Sequence, residues 1–203
     1  MFLLLSGFAK ITGNTVDGRN ILLDVRVGGE LVGEIGALND GMRAATVTAA
    51  SHVLTRSLTQ AEFLGYLDEH PAVWREVART FSIKMRLLTQ YRLTANVRSV
   101  RIRLAQSLLG LADRCGESSP NGERLGLPLT HDEIAEMIGS SQPDVQRAFA
   151  YLRNKGAVQT AYRTQVITDR QVLQRIADMA DTEPDSVRQR YIPPYGKGGD
   201  SGI

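Results

Sequence analysis

The sequence predicts an α+β protein in which a β-rich N-terminal part is joined by one long helix to a smaller C-terminal domain. Residues 8–57 alternate short β-rich runs with glycine-containing turns, and residues 72–96 contain neither glycine nor proline. The C-terminal third holds two short capped helices followed by two short β-rich runs. With 203 residues, 42% of them hydrophobic, the chain can bury a core and corresponds to about one or two domains.

Composition excludes several classes of protein. The longest apolar runs, Leu3–Leu5 and Ile21–Leu23, are far shorter than the roughly 20 residues that cross a bilayer, and no signal peptide is evident, so we expect a cytoplasmic protein. Cys115 is the single cysteine, which excludes an internal disulfide and a cysteine-rich metal centre. The net charge of +2 is too small to indicate nucleic-acid binding by itself. A nucleic-acid-binding surface would therefore need basic residues concentrated in one part of the chain.

The β-rich part begins with a predicted hairpin. Phe8–Thr12 and Asn20–Val27 flank the turn Val16–Gly18, and Asp-Gly between two such runs favours a tight turn. Ala44–Ala50 and His52–Ser57 are rich in Thr, Val and Ala and predict a second pair of strands.

A long helix follows a short helix that begins at the capping box of Thr59 and Glu62. Residues 72–96 would form a helix about 37 Å long. Large apolar residues recur along it at heptad spacing, which favours a contact between the helices of two copies. The alternative is that the helix packs on the β-domain of its own chain. The predicted dimer contacts are Trp74, Ala78, Phe81, Met85 and Leu88.

Two further segments complete the helical part. Val100–Ala112 predicts a second helix, and the polar stretch Cys115–Arg124 after it is predicted to be a loop. Residues 182–203 have too little apolar content to fold and are predicted to be disordered.

Two capped helices with a glycine between them form the strongest functional signal. Thr130 and Glu133 make one capping box, and Ser141 with Asp144 makes a second cap. Gly139 between them permits the positive φ of a sharp turn. The spacing matches a helix-turn-helix at Ala135, Gly139 and Val145. The alternative is an ordinary pair of helices with solvated charges.

The following segment predicts a wing and a basic surface. Ala157–Tyr162 and Thr164–Thr168 form two short β-rich runs, and residues 142–170 carry five basic and two acidic residues, a local charge of +3. Positive charge there suits a phosphate backbone. The second helix would supply base contacts from its first turns, with Asp144 as a cap. The predicted DNA-binding residues are Ser141, Gln142, Gln146, Arg147, Arg153, Lys155 and Arg163.

A glycine-rich segment, Gly28–Leu38, links the two β-regions and is followed by Arg43. Glycines let backbone N–H groups approach an anion, arginine supplies the opposite charge, and a glutamate can accept bonds from sugar hydroxyls. A cyclic phosphodiester with a ribose fits these groups. From composition alone a plain glycine-rich turn remains the alternative, because the spacing matches no phosphate-loop fingerprint.

Together these motifs make the chain similar to the cyclic AMP receptor protein and Fnr family of bacterial transcription regulators. Gly33–Gly36 through Arg43–Ala45 resembles the family's phosphate-binding cassette, and the long helix and winged helix-turn-helix follow in the family's order over residues 7–169. The resemblance implies a cyclic-nucleotide-binding β-roll in residues 1–70, a dimerisation helix in 71–98 and a DNA-binding domain in 99–181. The ligand-binding residues that it implies are Gly33, Glu34, Arg43, Ala44, Thr89 and Gln90.

The implied function is a homodimeric regulator that binds a palindromic operator in double-stranded DNA, with a cyclic nucleotide such as cyclic AMP as effector and RNA polymerase as a further partner. Three departures matter. Ala44 replaces the usual phosphate-binding hydroxyl, and Gln142-Pro143 replaces the family's common Arg-Glu pair. Met1–Gly7 resembles the middle of the family's β-roll, so the strands that the resemblance expects before it lie outside this sequence, whether because the start is assigned too late or because the regulator is truncated. The alternative is an effector-independent regulator with a vestigial pocket.

An enzyme is the competing class. His52, His70 and His131 are scattered without metal-binding spacing, and the sequence shows neither a nucleophile motif nor paired carboxylates on one predicted face. We therefore expect no catalytic residues, no metal and no membrane partner.

Overall fold

A computed structural model describes residues 1–39, 43, 45–95 and 98–179, without the side chains of residues 87, 88 and 90–95. The strands are β1 Phe2–Ser6, β2 Phe8–Asn14, β3 Asn20–Val27, β4 Leu31–Val32, β5 Thr46–Ala49, β6 Leu54–Ser57, β7 Gly116–Ser119, β8 Gly122–Leu125, β9 Val158–Ala161 and β10 Thr164–Ile167. The helices are α1 Glu34–Leu38, α2 Gln60–Glu69, α3 Pro71–Ala95, α4 Val100–Cys115, α5 His131–Ile138, α6 Gln142–Asn154 and α7 Arg170–Ala177. Of the helices in these ranges, none has the length and apolar character needed to span a bilayer.

The N-terminal strands form two antiparallel three-stranded sheets, with orders β4-β1-β6 and β3-β2-β5. The predicted hairpin is confirmed, since β2 pairs with β3 from Phe8↔Val27 to Asn14↔Asn20. The strands predicted in 44–57 also form, but the prediction that they pair with each other is wrong. β5 pairs with β2 and β6 with β1, because residues 50–53 carry the chain from one sheet to the other.

Two small apolar clusters hold this domain together. Leu4, Ala9 and Val32 pack between the sheets. The second cluster joins α1, α2 and the first half of α3, and its buried members are Met1, Ala37, Phe63, Leu67 and Val77. The capping box predicted for α2 is present in both directions between Thr59 and Glu62. The β-domain is thus closed on one side by the start of the long helix.

Helix α3 runs unbroken for 25 residues, as predicted. Val77 is buried against the N-terminal domain, and Phe81 packs half-buried at the edge of the same cluster. Trp74 and Ala78 are exposed, and Met85 is 67% exposed. One face of α3 therefore packs on its own domain, while most of the predicted dimer face is open. The side chain of Leu88 lies outside the described residues.

The C-terminal domain contains a four-stranded sheet of order β7-β8-β10-β9 packed with α4 to α7. The polar stretch predicted as a loop is instead the β7–β8 hairpin, in which the Ser119 hydroxyl donates to the Gly122 carbonyl at 2.8 Å. Leu125 is the single apolar side chain of its two strands, so no apolar alternation marked them as strands. β10 pairs with both β8 and β9 and ties this hairpin to the wing.

The largest core lies in this domain and extends into the β-domain. Its completely buried members include Leu104, Leu108, Phe149, Leu152 and Leu173. Leu22 and Val25 of β3 belong to the same cluster, so the outer face of the β3-β2 sheet packs against α5. Residues 182–203, predicted to be disordered, lie outside the described residues.

Candidate DNA-binding surface and anion cavity

Helix α5 is capped at its start, and the turn between α5 and α6 is held at Gly139. Thr130 Oγ1 accepts from the Glu133 N–H at 3.1 Å, and Glu133 accepts from the Thr130 N–H at 2.9 Å, which confirms the predicted capping box. Gly139 ends α5 with φ of 60°, as predicted for a sharp turn. Arg103 of α4 donates to the carbonyls of Ile138 at 2.7 Å and Gly139 at 3.2 Å. Arg103 therefore ties α4 to the turn that separates α5 from α6.

Helix α6 has one buried and one exposed face. Its buried residues are Val145, Ala148, Phe149 and Leu152. On the other face Gln146 is exposed and the Arg147 side chain is 74% exposed. Ser141 at the N-cap is exposed and Gln142 is half-buried. The candidate base-contacting residues thus lie together on the first two turns of α6.

The predicted cap at the start of α6 is formed by the side chain of Ser141 and the backbone N–H of Asp144. The Asp144 N–H donates to Ser141 Oγ at 3.3 Å, and the Ser141 hydroxyl donates to the Asp144 carboxylate at 2.5 Å. The same carboxylate forms an ion pair with Arg147. The hydrogen bond from Ser141, together with the charge of Arg147, lowers the pKa of Asp144.

The wing and the end of α6 carry the candidate phosphate-binding cations. Arg163 occupies the wing turn with φ of 54°, and Arg153 Nη1 donates to Thr160 Oγ1 of β9 at 2.9 Å. Lys155 Nζ lies 5.6 Å from the centre of the Tyr151 ring. Arg153, Lys155 and Arg163 are all exposed, so they can meet a phosphate backbone.

His131 opens α5 and stacks on Phe149 of α6, with ring centres 4.8 Å apart. Burial lowers the pKa of His131, and the nearby charge of Arg153 lowers it further. The lowered pKa favours the neutral imidazole, which lies half-buried against Phe149 of the helix-turn-helix.

A cavity of about 460 Å³ lies between the two N-terminal sheets. Its lining is mostly apolar, and Arg43 is the charged residue among the described lining residues. They are Phe2, Leu4, Ala9, Val32, Arg43, Ala45, Val47, Ala49, Val53 and Thr55. The cavity can hold a small ligand, with Arg43 placed to bind an anionic group.

Gly33 contacts Arg43 beside this cavity, although only Arg43 of the two lines it. Arg43 Nη1 donates to the Gly33 carbonyl at 3.4 Å. Gly33 has φ of 81°, and a Cβ there would lie 2.3 Å from Arg43 Nη1. The backbone conformation therefore favours glycine, and a Cβ at this position would displace the flexible end of Arg43.

The other predicted ligand-binding residues do not share this lining. Glu34 is 5% exposed, and its Oε1 lies 3.1 Å from Nζ of Lys84 on α3. Thr89 lines a separate groove on α3 with Phe81 and Met85, and its hydroxyl donates to the Met85 carbonyl at 3.0 Å. Ala44 and the side chain of Gln90 lie outside the described residues. Among the described residues of the predicted set, Arg43 lines the cavity and Gly33 contacts Arg43 next to it.

Lys84 is a residue that sequence reasoning missed. It lies 50 residues after Glu34, so no local spacing connects the two. The single available signal was a lysine on the apolar side of the long helix. Its ion pair links α1, which follows Gly33, to α3.

Comparisons with known proteins agree with this arrangement of domains. The family model of the cyclic nucleotide-binding domain matches residues 1–70, and that of the Crp-like helix-turn-helix domain matches residues 102–176. A CRP-like cAMP-activated global transcriptional regulator from Mycobacterium tuberculosis is 25% identical over 87% of this chain and 79% of that protein. The transcriptional regulator LdrP from Thermus thermophilus is 28% identical over 89% of this chain and 88% of that protein.

A solved structure resembles the whole arrangement. The crystal structure of a transcriptional regulator of the CRP family from Thermus thermophilus has a TM-score of 0.71 and 29% identity, and the match covers 88% of each chain. A β-domain of the cyclic nucleotide-binding type before a winged helix-turn-helix defines a DNA-binding transcription regulator. This chain belongs to the CRP/FNR family of such regulators.

Proposed function

We propose that the chain acts as a homodimer that binds a palindromic operator with α6 in the major groove. The observation that carries this proposal is the exposure of Gln146 and Arg147 opposite the buried face of α6. Glutamine can pair with adenine and arginine with guanine through two hydrogen bonds each. Gln142 and Ser141, one turn earlier, face the same groove edge or its backbone.

The wing and the end of α6 would bind phosphates. Arg153, Lys155 and Arg163 are exposed, and phosphate contacts fix the register of a protein on the duplex without selecting sequence. These three residues therefore supply affinity, whereas Gln146 and Arg147 supply specificity.

The dimer would form along α3, with Trp74, Ala78 and Met85 exposed toward the second copy and Phe81 and Leu88 completing the heptad pattern. Two copies would place their α6 helices in successive major grooves, about 34 Å apart. A regulator of this kind acts where the chromosome is, in the bacterial cytoplasm, and RNA polymerase is its expected further partner.

Selection of duplexes from a random library, followed by binding measurements at several salt concentrations, tests the proposal. Arg147→Ala should lose about 1–3 kcal/mol of discrimination at one base pair of the selected site. Lys155→Ala should weaken binding to all duplexes alike and reduce the salt slope by about one. Binding without sequence preference by the unaltered chain would contradict the proposal.

For the effector we propose a cyclic nucleotide in the β-domain cavity, with its phosphate on Arg43. The support is the position of Arg43 against Gly33 at the cavity wall. Calorimetric titration with cyclic AMP and cyclic GMP should show binding that Arg43→Ala abolishes.

The second candidate is a regulator that needs no effector. It is favoured by Ala44, which offers no hydroxyl to a phosphate, and by the apolar lining around Arg43. Absence of heat in both the unaltered chain and Arg43→Ala, with operator binding intact, would support this version over the first.

A further inference from the structure

The carboxylate of Asp144 is engaged at both oxygens. Oδ2 accepts from the Ser141 hydroxyl at 2.5 Å, and Oδ1 pairs with Nη2 of Arg147 one turn later on α6. The Asp144 side chain remains 37% exposed. It therefore lies at the exposed surface of α6 while its direction is fixed from both sides.

Capping of α6 does not require this carboxylate. The cap consists of the Ser141 oxygen accepting from the backbone N–H of residue 144 at 3.3 Å, and any residue except proline supplies that N–H. The bonds made by the Asp144 side chain are additional. One of these bonds, the ion pair, fixes the direction of the Arg147 side chain.

Arg147 keeps donors available while it is held. A guanidinium has five N–H donors, and the ion pair with Asp144 uses Nη2. The side chain is 74% exposed, so the remaining donors can face a base. Holding a flexible side chain in one direction before binding reduces the ordering that binding must supply.

The charge of Asp144 has a second effect. A carboxylate at the groove-facing end of α6 repels phosphates, and it can accept from a base amino group but cannot donate to a phosphate. Arg103, bonded to the carbonyls at the end of α5, lies close enough to contribute a favourable charge interaction with Asp144. The hydrogen bond from Ser141, followed by the charges of Arg147 and Arg103, thus lowers the pKa of Asp144 and favours its charged form.

We propose that Asp144 is a specificity-determining residue of the DNA-binding surface, which positions Arg147 for its base and weakens binding to DNA that lacks that base. This inference rests on the proposed contact of Arg147 with a base. Discrimination would arise from both effects, because the positioning of Arg147 strengthens the matched complex and the repulsion of phosphates by Asp144 weakens the mismatched one.

The test uses the full chain, an operator selected from a random duplex library by the unaltered protein, and an unrelated duplex of equal length. Asp144→Asn should bind the unrelated duplex more tightly and should lower the ratio of specific to nonspecific affinity about tenfold. The loss should fall at the base pair where Arg147→Ala also relaxes preference. Asp144→Glu, which keeps the charge and can still reach Arg147, should stay near the original ratio.

A double-mutant cycle separates positioning from a structural role. In the Arg147→Ala background, Asp144→Asn should lower the ratio much less than it does in the unaltered chain, because the residue to be positioned is gone. Asp132→Asn, which removes an exposed charge from the first turn of α5, is the matched control and should shift both affinities equally.

Two results would overturn the inference. One is full additivity of the two substitutions in the cycle. The other is an Asp144→Asn variant that unfolds at lower temperature and weakens both duplexes by the same factor, since this is the behaviour of a helix cap alone. If instead Arg147→Ala leaves base preference unchanged, the proposed contact of Arg147 fails, and this inference fails with it.

Discussion

Arg114, near the end of α4, donates to both carboxylate oxygens of Glu30 in the β-domain, at 3.0 and 2.9 Å. It also lies 3.4 Å from Asp24 and bonds the Val25 carbonyl. Burial works against its charge, but the two carboxylates outweigh this and raise the pKa of Arg114. One side chain therefore joins the C-terminal domain to residues 24–30, which precede the cavity-lining Val32 of β4.

We expect Arg114→Gln to destabilise the chain by about 1–2 kcal/mol, because Glu30 loses a two-point contact in a half-buried setting. Urea unfolding measures the change. Arg124→Gln is the control, since its pair with Glu117 is half-exposed on both sides and should contribute less than about 1 kcal/mol. Equal losses of unfolding free energy in the two variants would show that the contact between domains stabilises the chain no more than an exposed ion pair does.

The ion pair between Lys10 of β2 and Glu133 of α5 predicts a dependence of stability on pH. Burial tends to raise the pKa of Glu133, but hydrogen bonds from Lys10 and the Thr130 N–H outweigh it, so the pKa lies below its ordinary value of 4.5. The unfolded chain then takes up this proton at a higher pH than the folded chain. Its contribution is complete above the ordinary pKa and is lost as the pH falls through the lower, folded value.

Glu133→Gln isolates this effect, because glutamine preserves the capping box while removing the charge. The free energy of unfolding of the unaltered chain should fall more steeply with acid below about pH 5 than that of the variant. Glu117→Gln, at an exposed pair, serves as the control. Parallel curves for the unaltered chain and Glu133→Gln would refute the assignment to this ion pair.

The helix-turn-helix was predictable because its signals are local. The side chain of Thr130 accepts from the N–H of Glu133 three residues later, and the side chain of Ser141 accepts from the N–H of Asp144 in the same way. Between them, Gly139 adopts the positive φ that ends α5. The long helix was predictable for the same reason, since neither glycine nor proline interrupts residues 72–95. Interactions within a few residues leave a pattern that a single sequence displays.

Contacts between distant segments left no such pattern. Glu34 and Lys84 are 50 residues apart, and Glu30 and Arg114 are 84 apart. The β5 and β6 segments were recognised as strands from composition, but their partners depend on how two sheets face each other. The packing of Leu22 and Val25 on the DNA-binding domain likewise depends on tertiary structure.

Gly33→Ala should remove ligand binding at the cavity. A Cβ at this position would lie 2.3 Å from Arg43 Nη1, so the guanidinium must move, and the φ of 81° is strained for alanine. Calorimetric titration with cyclic nucleotides measures this loss, after binding by the unaltered protein has been established.

Gly29→Ala provides the matched control for Gly33→Ala. Gly29 has a similarly positive φ of 92°, but a Cβ there meets nothing within 4 Å. Both variants carry the backbone strain, and only Gly33→Ala displaces Arg43. If both lose affinity equally, strain rather than the position of Arg43 is responsible.

Met85→Glu should dissociate the proposed dimer. Met85 is 67% exposed on α3, and burying a methionine contributes roughly 1.5–3 kcal/mol. Two copies lose this contribution and gain a buried charge, so we expect the dimer to weaken by at least about a hundredfold. Thr80→Glu is the control, because Thr80 lies about 140° away around the helix and is also exposed. Sedimentation velocity over a range of concentrations should show monomer for Met85→Glu and dimer for Thr80→Glu. A dimer that survives Met85→Glu but not Thr80→Glu would move the interface to the other side of α3, and the heptad assignment would then be wrong.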